Sequence, residues 1–157
     1  MKTHQHLAEL TPANARYADA IRSFVIDEFR RDYGSGDITT ERFFEAPRMV
    51  RAEITTRESC IIAGIPEVAF LLSEVRSHVR LEQEIHDGVA CSQGGVIAEL
   101  HGDIREILAV ERVVLNVLAR MSGIATATHR MMAIAREANP HMLITPTRKT
   151  LWGLLDK

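Results

Sequence analysis

Between residues 16 and 31 the apolar positions Tyr17, Ala20, Ile21, Phe24, Val25, Ile26 and Phe29 recur at intervals of three and four. Arg22, Asp27, Glu28, Arg30 and Arg31 fall largely between them. That period is one face of an α-helix, so an amphipathic helix is expected here. It runs into Tyr33-Gly34-Ser35-Gly36-Asp37, where two glycines break regular structure, and a shaped loop is expected before Thr39-Thr40. From Met49 to Ile62 the pattern alternates and is rich in β-branched residues (Val50, Ile54, Thr55, Thr56, Ile61, Ile62), which reads as a strand or a hairpin. Gly64-Ile65-Pro66 then opens a helical stretch carrying Val68, Ala69, Leu71, Leu72 and Val75. Between Val79 and Leu100 short strand-like pieces are punctuated by His86-Asp87-Gly88 and Gln93-Gly94-Gly95. Antiparallel strands joined by tight turns fit that spacing, in one sheet with the first β region.

The pattern changes at Asp103. Ile104, Ile107, Leu108, Glu111, Val114, Leu115 and Leu118 mark one face of a long helix, with Asp103 as N-cap and Glu106 three residues on, the arrangement of a capping box. Ser122-Gly123 is expected to interrupt it, with a second helix through Thr128, Met131, Met132, Ile134 and Ala135 that Asn139-Pro140 ends. His141 to Thr145 reads as a short buried strand, and Thr147-Arg148-Lys149-Thr150 falls where a βα loop would begin. A helix feeding a strand and a loop opens a repeating β/α domain, whose parallel strands need partners reached through long crossovers. The chain holds no such partner after this strand. The fold class is therefore α+β, divided into a first domain over 1–120 and the start of a second over 121–157.

At 157 residues one core could bury roughly 68–70% of the unfolded surface. The charges nearly balance, 19 Lys plus Arg against 21 Asp plus Glu, and no basic stretch is interleaved with aromatics, so nucleic acid is not an expected partner. The longest apolar runs, such as Cys60-Ile61-Ile62-Ala63, are far shorter than a bilayer span, and MKTHQHLAEL has no signal-peptide core. A cytoplasmic protein without membrane contact is expected. Cys60 and Cys91 have no CxxC spacing and read as buried thiols in a reducing compartment.

Candidate chemistry is cationic. Arg112 lies four residues before Asn116 and shares a helix face with it. It reads either as an anion-binding fork or as part of a solvated Glu–Arg surface. Arg148-Lys149, flanked by Thr147 and Thr150, joins point charge, fork donors and hydroxyls at a strand's C-terminal end, against the alternative of a basic surface loop. Ser122-Gly123-Ile124-Ala125-Thr126 could offer backbone N–H groups to an anion at a helix start, or form only a cap and a tight packing contact. The Gly34–Asp37 segment lacks a phosphate-loop fingerprint. The seven histidines include no HExxH and no pair at ligand spacing with acidic support, so no metal ligands are assigned. No serine or cysteine nucleophile stands in a motif.

Four blocks in order, Ser35-Gly36-Asp37-Ile38-Thr39-Thr40, then Ala63-Gly64, then Glu111-Arg112-Val113-Val114-Leu115-Asn116 through Ser122-Gly123-Ile124-Ala125-Thr126, then Thr147-Arg148-Lys149-Thr150, carry a resemblance. From about residue 17 onward the chain resembles nicotinate-nucleotide pyrophosphorylase (carboxylating), or quinolinate phosphoribosyltransferase. The resemblance implies an N-terminal α/β sandwich-like domain followed by an incomplete α/β barrel, here cut after its first helix–strand unit. It also implies transfer of phosphoribosyl from phosphoribosyl pyrophosphate to quinolinate, giving nicotinate mononucleotide, pyrophosphate and carbon dioxide in NAD biosynthesis. Mg²⁺ would accompany the pyrophosphate. By the same resemblance Arg148 would bind a quinolinate carboxylate and Lys149 would be the catalytic lysine beside substrate and phosphoribosyl groups. Thr147 would line the substrate site, and Arg112 would reach into the partner's active site in a homodimer or higher homo-oligomer.

Two departures qualify the match. Leu151-Trp152-Gly153 and the residues after it replace the usual Thr-Pro-Gly stretch, and the family's later His-Arg pair, second lysine, metal-binding acids and glycine-rich phosphate loop are absent. Alone, the chain is expected to be inactive. It is also expected to self-associate through an uncovered apolar face of the 103–120 helix and the Met142–Thr145 strand. Alternative readings are a molybdenum-transport-associated relative of the family and a non-catalytic dimerisation or binding module.

Overall fold

The computed structural model describes residues 10–34, 36, 38–83 and 85–145. The first periodic stretch forms helix α1, Ala15–Tyr33, which buries Ala18, Ile21 and Val25. Its start is fixed by the Asn14 side chain, whose Oδ1 accepts from the backbone N–H of Arg16 (2.9 Å) and Tyr17 (3.2 Å). Its end is fixed by Gly34 at φ 53°. A short helix α2, Ile38–Phe43, follows the Gly34–Asp37 segment and was not expected from the pattern.

The strands are β1 (Met49–Thr55), β2 (Cys60–Ile61), β3 (Arg80–Gln83), β4 (Ala90–Cys91) and β5 (Val96–Asp103), and helix α3 (Ile65–Glu74) lies between β2 and β3. They do not make one sheet. β1, β5 and β3 form an antiparallel sheet in that order, while β2 and β4 pair separately, so β1 and β2 are not a hairpin. The β1–β5 and β2–β4 pairings each join one strand from each of the two expected β regions, while β3–β5 lies within the second. Cys60 lies opposite Cys91 in the β2–β4 register, both as free thiols, with Cys91 buried and Cys60 half-buried. Burial pushes the Cys60 thiol up, and the neighbouring Cys91 adds to this.

One helix dominates. α4 runs from Ile104 to Ala138 without a break and buries Ile107, Val110, Val113, Val114, Val117, Leu118 and Ser122 against the sheet, α1 and α3. Asp103 caps it, accepting from the Arg105 N–H at 3.1 Å, and the Arg105 guanidinium on the same carboxylate lowers its pKa to about 2. Glu106 does not complete a capping box. Its carboxylate instead accepts from the His78 N–H (2.7 Å) and the Ser77 hydroxyl (3.2 Å), tying the loop before β3 to the first turn of α4.

The expected interruption at Ser122-Gly123 is absent because the side chains there work sideways. The Ser122 hydroxyl accepts from the Ala63 N–H (3.1 Å) and donates to the Ala63 carbonyl (3.2 Å). Thr126 Oγ1 accepts from the Ile61 N–H at 2.9 Å. Next to them Gly64 adopts φ +110°, and a Cβ there would stand 3.1 Å from Met121 Sδ. Asp87 completes this junction, its carboxylate accepting from the N–H groups of Gly64 (2.8 Å) and Ile65 (3.1 Å) and so capping α3.

Two further expectations fail. Residues 141–145 are not a strand, and Leu143 is 65% exposed. Most of the 103–120 face is covered by the chain itself, Leu115 excepted, and further exposed apolar side chains of α4 lie beyond it at Ile124, Met131 and Ile134.

The glycines generate paired predictions for urea unfolding. Gly64→Ala, forced into a backbone region that L-residues avoid and against Met121, should lose about 1–3 kcal/mol. Gly123→Ala, where an added Cβ meets nothing within 4 Å, should gain about 0.5–1 kcal/mol of helix stability. Ser122→Ala, which orphans the Ala63 N–H and carbonyl, should cost about 1–3 kcal/mol.

Candidate functional site

Antiparallel packing of α1 against α4 leaves a groove whose floor is the apolar seam of both helices. Its larger part is a cavity of about 860 Å³ walled by Ile21, Phe24, Val25, Val117, Met121 and Ile124, and an adjoining recess of about 290 Å³ is lined by Glu28, Arg31, Asp32, Arg112, Val113 and Asn116. Arg112, Asn116 and Arg120 follow one another at helical spacing along the rim, because residues four apart share a face.

Arg112 stands in the recess. Its side chain is 75% exposed, and its Nε lies 3.0 Å from Asp32 Oδ1, in the last turn of α1. An exposed ion pair of this kind contributes about 0–1 kcal/mol, so its consequence is orientation more than stability. With Nε turned to Asp32, the remaining guanidinium N–H groups keep the fork geometry suited to carboxylate or phosphate oxygens.

At the other end of the groove the structure buries a carboxylate. Glu67, in the first turn of α3, is 5% exposed. The Tyr17 hydroxyl donates to its Oε1 at 2.8 Å, and its Oε2 has no hydrogen-bond partner among the described residues. Burial raises the Glu67 pKa, an effect that the Tyr17 hydrogen bond opposes only in part. Burial, and then the Glu67 charge beside it, also raises that of Tyr17.

The structure thus places one of the expected cationic sites. Arg112 is where an anion can reach it. The Ser122–Thr126 block lies in the interior of α4 and binds the backbone of β2 rather than a ligand, which settles its two readings in favour of packing. Thr147, Arg148, Lys149 and Thr150 lie outside the described residues, as do Ser35 and Asp37. Sequence reasoning missed Asp32 and Glu67. Asp32 follows the helical period of α1 without any mark of a distant partner. Glu67 sits after Pro66 at a position where an acid usually serves a helix N-terminus from the surface.

The described residues form an α+β domain in which a long helix presents a solvent-facing arginine beside a groove. Comparison with known proteins gives its family. The sequence profile described as quinolinate phosphoribosyl transferase, N-terminal domain, matches residues 37–122, and the chain belongs to that family. Among relatives, the Methanothermobacter thermautotrophicus protein named "Probable nicotinate-nucleotide pyrophosphorylase (carboxylating)" is 40% identical over 136 residues, 87% of this chain and 47% of that protein. A Nicotiana tabacum quinolinate phosphoribosyltransferase (decarboxylating) is 35% identical over 119 residues, covering 76% of this chain and 33% of its own length. Among solved structures, NadC from Streptococcus pyogenes superposes with a TM-score of 0.76 at 25% identity over 85% of this chain and 48% of that one. The nicotinate-nucleotide pyrophosphorylase of Ehrlichia chaffeensis does so with 0.75 at 29% identity over 87% and 50%. The chain therefore spans about half the length of these relatives or less. No described helix is long and apolar enough to cross a membrane.

Glu67 yields a pH prediction with a definite sign. Its folded pKa is raised, so its contribution to stability is complete below the unfolded carboxyl value of about 4.3 and is lost as pH rises through the folded value. Glu67→Gln should therefore gain in thermal midpoint relative to wild type as pH is raised from about 4 towards neutrality. A midpoint difference that stays flat over that range would contradict the assignment.

Proposed function

We propose that this chain supplies the N-terminal part of a quinolinate phosphoribosyltransferase, converting quinolinate and phosphoribosyl pyrophosphate to nicotinate mononucleotide, pyrophosphate and carbon dioxide. The observation that carries the reading is Arg112, exposed on α4 and oriented by Asp32, within the segment matched by the family profile. The names of the relatives support quinolinate as the substrate. In this reading the protein's chemical contribution is fixed positive charge. Arg112 holds a substrate carboxylate or phosphate in the active site of a partner subunit, and Arg148, Lys149 and Thr147 form the corresponding anion site of the chain's own barrel. Lys149 is the residue nearest the transferred group. Such an arrangement requires at least a homodimer, and a metabolic enzyme of this class working in the cytoplasm fits the absence of a membrane-crossing helix among the described residues. The two-domain division at 120/121 falls inside α4, which would then be the rigid link between the N-terminal domain and the barrel.

Magnesium is implied by the resemblance as the companion of pyrophosphate, and it prefers six oxygen ligands. The carboxylates nearest Arg112 do not fit it, since Asp32 is paired with Arg112 and Glu28 lies 3.0 Å from Arg31. No step of the proposed chemistry is drawn through the ion on these residues.

Calorimetric titration of the chain with quinolinate at low salt tests the proposal. Weak binding is expected, reduced about tenfold or more by either Arg112→Ala or Arg148→Ala, as loss of a charge-assisted hydrogen-bond pair implies. Binding indifferent to both substitutions, or none from a folded sample, would count against these residues as the anion site.

A further inference from the structure

On the solvent side of the three-stranded sheet, away from the α1–α4 groove, the strand register builds two cross-strand rows. Glu53, Glu99 and Glu82 stand opposite one another across β1, β5 and β3, and Arg51, His101 and Arg80 form the next row. Three carboxylates in one row are unfavourable, because like charges directly opposite destabilise a sheet. The compensating groups are Arg51, 3.1 Å from Glu53 and 3.2 Å from Glu99, and Arg80, 3.4 Å from Glu82. Both arginines take the Oε1 atoms. The Oε2 atoms of Glu99 and Glu82 turn the other way and converge on His101 Nε2, at 3.1 Å and 3.5 Å. With a neutral imidazole, two arginines face three carboxylates, and the row keeps one uncompensated negative charge.

We propose that Glu82, Glu99 and His101 form a binding site for one divalent zinc-class metal ion. All three ligand atoms lie within 4.8 Å of one another. Zinc bonds of about 2.0–2.2 Å at tetrahedral angles set neighbouring ligand atoms about 3.3–3.6 Å apart, and the two measured separations, 3.1 Å and 3.5 Å, bracket most of that range. One imidazole nitrogen with two carboxylate oxygens is a donor set that suits zinc over magnesium or calcium, which prefer oxygen alone. Arg51 and Arg80, each on the far oxygen of a ligating carboxylate, are placed to orient the ligands as outer partners do in metal sites. Glu99 and His101 side chains are only 13% and 25% exposed, which limits their rotamer freedom before the ion arrives. Two residues apart on β5 they share a face, and Glu82 reaches them from the edge strand β3, so the bound ion would staple that four-residue edge to the sheet. The sequence reading passed over the site because Glu99-x-His101 lacks a third ligand along the chain; the third comes only with the register.

The test is competition for zinc chloride between the purified chain and a chromophoric chelator, together with thermal unfolding, in a His4→Ala/His6→Ala background that removes the one closely spaced histidine pair of the sequence. One zinc per chain is expected, with a rise in thermal midpoint as binding to the folded state requires. His101→Asn and the milder Glu82→Gln should each weaken binding at least about tenfold and abolish the midpoint shift, while Cys60→Ser changes neither. Absence of stoichiometric binding, binding unchanged in both ligand variants, or binding lost on Cys60→Ser would each overturn the proposal.

Discussion

The structure depends on how one helix covers the open edge of a two-residue strand. β2 pairs with β4 on one side only, and the N–H groups of Ile61 and Ala63 point to the other. Left in an apolar interior, each would cost about 1–3 kcal/mol. α4 supplies the partners. Ser122 and Thr126 are four residues apart on one helix face, a rise of about 6 Å, while Ile61 and Ala63 are two residues apart along the strand, about 6.6 Å. The two spacings nearly coincide, so two hydroxyls on one helix face can satisfy alternate donors of one strand edge. The close approach this needs is what Gly64 permits, since a side chain there would run into Met121. Two blocks that carry the family resemblance, Ala63-Gly64 and Ser122 to Thr126, are therefore halves of a single contact.

That contact explains what the sequence disclosed and what it hid. α1, α3 and the start of α4 were legible, because each buries a stripe with helical period and each begins at a residue able to cap it or set its first turn. The α+β class followed. The break at Ser122-Gly123 was misread because Ser and Gly are ordinarily residues of helix ends, and only the strand lying alongside shows that the hydroxyl has tertiary work inside the helix. The β region was legible in composition but not in pairing. Period-two alternation identifies strands without saying which strand lies beside which, and it could not separate β2–β4 from the main sheet. Glu106 failed as a capping-box partner for the same kind of reason, since Ser77 and His78 offered it a tertiary alternative.

The candidate site divides along the same line. Arg112 was readable as a candidate because an arginine on the polar side of a long helix has few structural duties, and the family resemblance then gave it one. Its orienting partner was not readable. Asp32 meets Arg112 only because α1 and α4 pack side by side, a fact that resides in Val25, Val113 and Val117 rather than in either charged residue. Buried Glu67 is hidden more deeply still. Its place after Pro66 suits a surface acid at a helix start, and only the packing of Tyr17 from α1 across the start of α3 makes it an interior group.

The resulting molecule separates rigidity from chemistry. Thirty-five residues of uninterrupted helix connect the packed domain to a half-turned row of exposed apolar side chains beyond residue 121. A helix clamped at Ser122 and Thr126 cannot rotate about its axis without breaking those hydroxyl contacts. Arg112 and Arg120 on the rim therefore hold a fixed direction relative to Ile124, Met131 and Ile134 further along. An arginine that serves another subunit's site, as proposed for Arg112, would need that property above affinity of its own. Its charge contributes little until an anion is presented at the right place, and the constancy of that place is set by two hydroxyls and a glycine at the junction of β2 and α4.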